Sequence, residues 1–85
     1  MKIERYIGVY QKSGQQFLIE KIYLPENSLE VLSTIFDLNK DDPLMYFEYD
    51  VDDVAAAELQ RKFGVEFNLN KFDYAVSAES SMVED

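Results

Sequence analysis

Residues 44–64 read LMYFEYDVDDVAAAELQRKFG, and their pattern decides the fold class. Met45, Phe47 and Tyr49 alternate with Tyr46 and Glu48, the period-two pattern of a strand over residues 44–50. Asp52 has the side chain that caps a helix amino end, and residues 53–63 carry the strong helix formers Ala55, Ala56, Ala57, Glu58 and Leu59. Asp52 and Asp53 would sit in the positive field of that helix and Arg61 and Lys62 at its negative end. Gly64 suits the left-handed residue that closes it. A strand running straight into a capped helix places the chain in the mixed classes.

Upstream, residues 2–10 (KIERYIGVY) set Ile3, Ile7 and Val9 on one face of a strand and Glu4, Tyr6 and Tyr10 on the other. Residues 11–16 hold Ser13-Gly14 and read as a hairpin turn into a return strand over 17–24, which Pro25 stops. Asn27 and Glu30 have capping-box spacing before the apolar stripe Leu29, Leu32, Ile35 and Phe36, which predicts a helix over 28–37. Residues 39–43 are turn formers ending in proline. Downstream, Phe72, Tyr74 and Val76 alternate in a strand over 72–78, and residues 79–85 read as an acidic, fraying tail.

The expected order is β-β-α-β-α-β: one α+β domain over residues 1–78, with a mostly antiparallel four-stranded sheet and two helices on one face. If the helices cover Ile3, Ile7, Val9, Met45 and Phe47, the open face shows Glu4, Tyr6, Tyr10, Tyr46 and Glu48. A slip of one residue in register would invert that assignment.

The chain has 85 residues and neither His nor Cys. Imidazole bases, thiolate nucleophiles, disulfides and His- or Cys-ligated metals are therefore excluded. The three glycines are too scattered to cradle a phosphate. Residues 50–53 begin like a calcium-binding loop, but Ala55 stands at the sixth position and Arg61 at the twelfth. The expectation is a protein that is not an enzyme and uses no cofactor or metal. The amino terminus, MKIERY, lacks a signal-peptide core, and no apolar run approaches the ~20 residues of a membrane span. A cytoplasmic protein is the expectation.

Seventeen acids oppose eight bases, for a net charge of −9. That disfavours direct nucleic-acid binding and docking on anionic membranes. Residues 1–36 are neutral, so the whole excess lies in residues 37–85. It is densest at Asp37, Asp41, Asp42, Glu48, Asp50, Asp52 and Asp53, set against Lys40 alone. With the strand at 44–50 formed, these acids and Tyr46 make a ridge fitted to a basic cleft on another protein. Turn chemistry accounts equally well for Asp41 and Asp42, and helix capping for Asp52 and Asp53. The candidate partner-binding residues are Asp41, Asp42, Tyr46, Glu48, Asp50, Asp52 and Asp53, joined by Tyr6 and Tyr10 if the open face takes part.

The opening hairpin, the Leu29/Leu32/Phe36 helix, the strand LMYFEYDV and the closing NKFDYAVSAE together resemble the small acidic toxin-immunity proteins of bacterial competition systems, of the contact-dependent inhibition or bacteriocin type. The resemblance spans most of the chain and carries over no individual binding residue. It implies tight binding to one cognate toxin with a basic surface, commonly a nuclease, by a monomer or weak homodimer. A structural or adaptor domain that self-associates, or binds a subunit through its open sheet face or edge, is the other reading.

Overall fold

The computed structural model describes residues 2–12, 14, 17–37 and 40–81. Six elements follow one another: β1 (Lys2–Gln11), β2 (Leu18–Tyr23), α1 (Ser28–Ile35), β3 (Tyr49–Asp50), α2 (Asp53–Phe63) and β4 (Phe72–Ser81). The strands form one antiparallel sheet in the order β2-β1-β4-β3. The fold is α+β, with both helices on the same side. Leu32 of α1 and Ala55, Ala56 and Leu59 of α2 meet Ile7, Val9, Tyr74 and Val76 of the sheet in a single core. This is the Ile7/Val9 face, so the opposite sheet face is the open one.

The helix at 53–63 forms as its sequence requires. Asp52 is extended and its carboxylate accepts from the Ala55 N–H at 2.8 Å, while Gly64 takes φ 72° and donates to the Gln60 carbonyl. Such a cap contributes about 1 kcal/mol. The first helix ends at Ile35, two residues early, and its expected capping box does not form. Asn27 lies at φ −94°, ψ 23° rather than in the extended region a cap needs, so its side chain makes no capping bond. The Ser28 N–H turns back to the Pro25 carbonyl instead.

The largest departure is at 44–50, where only Tyr49–Asp50 pairs as strand. Residues 44–48 form a loop, because Met45 turns to φ 55° and drives its side chain into the core at 1 % exposure. Burying that thioether and satisfying the loop's backbone at Asp42 offset the cost of a left-handed, non-glycine residue. At the other end, β4 runs three residues past the expected 78. Glu79 and Ser80 pair with Glu4 and Ile3, so 79–81 belong to the sheet rather than to a tail. Residues 82–85, like Ser13, Gln15 and Gln16 of the hairpin turn and Leu38 and Asn39, lie outside the described residues.

Candidate functional site

Strand register decides which side chains share the open face. Tyr6 faces Tyr23 and Ser77, Gly8 faces Lys21 and Ala75, Tyr10 faces Leu18 and Asp73, and Ala75 in turn faces Asp50. Two polar groupings result, one at each end of the face.

Toward the start of β1, Glu79 accepts from the Tyr23 hydroxyl at 2.6 Å and from Lys21 at 3.0 Å. The Tyr6 and Tyr23 rings lie 5.8 Å apart, and the Lys21 ammonium sits 4.8 Å above the Tyr6 ring. The Tyr23 bond, then the Lys21 bond, hold the Glu79 carboxyl below its ordinary pKa. Its own hydrogen bond to Glu79 raises each of Tyr23 and Lys21. Tyr6 is therefore tied into a closed network.

Toward the end of β1 lies an open groove of about 500 Å³. Ala75 and Val51 line it together with Tyr10, and Glu48, Asp50, Asp53, Asp73 and Lys12 stand around them. Lys12 is committed to Asp73 at 3.1 Å and to the Leu69 carbonyl at 2.8 Å. Glu48, Asp50 and Asp53 make none of the ion pairs among the described residues. Burial, and then the Glu48 charge, raise the Tyr10 hydroxyl's pKa against the effect of its hydrogen bond with Ser77. Three uncompensated carboxylates beside an aromatic ring suit a cationic guest: the acids supply the field and the ring a polarisable wall. No three acidic side chains among the described residues are arranged to hold a metal ion.

Gly8 keeps Tyr10 in place. A Cβ at Gly8 would stand 2.8 Å from the Tyr10 ring, which folds back over the bare backbone. Gly8→Ala is thus expected to leave the fold intact but swing the Tyr10 ring outward. Tyrosine ring chemical shifts and nuclear Overhauser contacts between Tyr10 and Gly8 would check this, an unmoved ring being the contrary result.

The structure divides the sequence-predicted residues. Glu48, Asp50, Asp53 and Tyr10 come together in the groove, and Tyr6 shares its face. Asp52 is exposed but spends its carboxylate on the α2 cap. Asp41 is exposed in the turn before Pro43. Asp42 does not belong to an exposed ridge: it is buried, at 2 % exposure. Its carboxylate accepts from the Tyr46 N–H (2.6 Å), the Phe47 N–H (2.9 Å) and the Tyr49 hydroxyl (2.7 Å). Burial alone would raise its pKa, but these three bonds and the Arg5 charge outweigh that and lower it. Tyr46 also departs from the ridge. Once the strand gives way to a loop, it lies beside Ile3, Ala78 and Ser80, on the sheet face opposite Tyr10. Asp73 and Lys12 are members that sequence reading missed. Asp73 stands opposite Tyr10 only through the β1–β4 register, which no local pattern announces.

No helix among the described residues is long and apolar enough to cross a membrane. No curated protein and no solved structure matches the chain. Residues 4–77, from β1 into β4, match the family described as a domain of unknown function, DUF7683. The chain belongs to that family.

Proposed function

We propose that this is a cytoplasmic binding protein, without catalytic activity of its own, that docks on a basic surface of another protein through the groove beside Tyr10. The observation that carries this reading is the set of unpaired carboxylates of Glu48, Asp50 and Asp53 around one aromatic ring on an uncovered sheet face. Removing Lys or Arg side chains from water against them is favourable because the acids are preplaced and have no internal cation to release. With a net charge of −9, the protein also draws a basic partner by long-range attraction. A nuclease-type toxin domain, which carries a basic surface to hold its own polyanionic substrate, is the partner class this suits. Neutralisation would then follow from covering that surface.

The test starts from affinity capture in the native host, followed by reconstitution of the binary complex from purified proteins. Glu48→Lys with Asp50→Lys is expected to weaken binding about ten- to a hundredfold, mostly through slower association, and to flatten the salt dependence. Unchanged affinity in that double variant would remove the groove from the interface.

The exposed Phe17, Leu18 and Ile19 at the β2 edge favour the second reading, an adaptor or self-associating domain. Against self-pairing, a two-fold axis at the middle of β2 sets Glu20 against Glu20 or Lys21 against Lys21. Sedimentation at several concentrations separates the two: a concentration-dependent dimer favours the edge, a monomer the groove.

A further inference from the structure

β1 pairs with β4 along its whole length, but on the other side of β4 the strand β3 covers only Ala75 and Val76. Main-chain polar groups of successive strand residues point to alternate sides. The Val51 N–H donates to the Tyr74 carbonyl at 3.0 Å, so the even-numbered residues of β4 face β3 and the odd-numbered ones face β1. Ala78 and Ser80 therefore each direct an N–H and a C=O off the sheet edge beyond β3. No main-chain bond reaches them there among the described residues.

The chain's own residues would fill this edge if β3 ran back toward residue 44. Extending the Tyr49–Val76 register sets Phe47 against Ala78 and Met45 against Ser80. Both are held away: Asp42 takes the Tyr46 and Phe47 N–H groups, and Met45 turns to φ 55° with its side chain in the core. A pocket of about 330 Å³ lies at the same place, lined by Ile3, Tyr46, Ala78, Glu79 and Ser80. Ile3, Ala78 and Ser80 belong to the helix-bearing face, and the half-exposed Tyr46 stands beside them. Of the lining residues Glu79 alone is charged, and Lys21 and Tyr23 hold its carboxylate on the opposite, open face.

We propose that this edge receives an extended segment of another protein, added as an antiparallel strand in line with β3. Ala78 and Ser80 each exchange a pair of N–H···O=C bonds with it. The two guest residues opposite them lay apolar side chains against Ile3 and Tyr46, and the residue between these two, which faces Glu79, is not acidic. A second copy of this chain is the poorer occupant, because two molecules of net charge −9 repel each other. The inference does not depend on the groove beside Tyr10, which opens on the other face of the sheet.

Amide hydrogen exchange on the full chain, followed by NMR, tests both the edge and its occupant. In the free protein the Ala78 and Ser80 amides should exchange at least about tenfold faster than those of Ser77 and Glu79, which bond across to β1. The probe is acetyl-Lys-Val-Lys-Val-Lys-amide, which at about 5 mM peptide and about 0.15 M salt should slow exchange at Ala78 and Ser80 about tenfold. Two control peptides carry the same charge, one N-methylated at both valines and one with serine in place of both. Each should lose that protection, whereas attraction to the acidic groove acts on all three peptides alike. Tyr46→Ala, a change at an exposed position, should weaken the valine peptide about threefold or more. The proposal is overturned if Ala78 and Ser80 are already protected in the free protein, or if the valine peptide leaves them unprotected. Equal protection by the N-methylated peptide also overturns it, as does protection that rises with protein concentration alone, which would make a second copy the occupant.

Discussion

Asp42→Ala is expected to lower the thermal midpoint by about 10–15 °C while leaving most helical signal in place below the transition. Truncation deprives the Tyr46 and Phe47 N–H groups and the Tyr49 hydroxyl of their acceptor at once. The bonds that offset the cost of the left-handed turn at Met45 are then lost, and the loop is freer to release that side chain from the core. The pH dependence has a definite sign. Because the folded state lowers the Asp42 pKa, its stabilising contribution is complete above the unfolded carboxyl value near 4 and disappears as the pH falls through the lower folded value. Glu79 and Glu26, also lowered, act in the same direction. Acid unfolding followed by circular dichroism on wild type and Asp42→Asn checks this. The variant should show a shallower loss of stability below about pH 4, and parallel curves would assign the loop's order to packing alone.

Leu59→Ala is expected to cost about 3 kcal/mol, within the usual range for a fully enclosed leucine. Leu59 has no exposed surface, and its neighbours on the buried side of α2, Ala55 and Ala56, are too small to expand into the space it leaves. A domain of this size holds only about 5–15 kcal/mol in reserve, so the loss is a large share of the total. Leu59→Met, which conserves volume, should cost under about 1.5 kcal/mol. Urea unfolding of the pair tests the assignment: equal midpoints would mean that α2 does not anchor the core through this side chain.

What sequence could and could not disclose follows from the range of each signal. The helix at 53–63 is written in neighbouring residues: a cap at Asp52, a propensity run, and a glycine with positive φ at its end. The antiparallel sheet is nearly as legible, since Ile7 and Val9 alternate with Tyr6 and Tyr10. The strand at 44–50 misleads because period-two alternation reports only that side chains diverge. It cannot register that Asp42 gathers two amides and a hydroxyl and forces Met45 into a turn. The same error divides the predicted ridge, burying Asp42 and sending Tyr46 to the far face. Glu48, Asp50 and Asp53 survive as a group because they are close in sequence, whereas Asp73 and Lys12 join them through pairings that span the chain.

The ladder between β1 and β4 also governs when the fold can exist. Its partners lie roughly 60–80 positions apart, and β1 holds the centre of the sheet. On the ribosome, β1 and β2 emerge before β4 and can pair, but the other edge of β1 has no β4 beside it until roughly sixty further residues have been made. During that interval Ile7 and Val9 stand on an unfinished edge, vulnerable to pairing with another nascent chain. Closure of that ladder has high contact order. The slower that closure, the longer the unfinished edge stays open to aggregation.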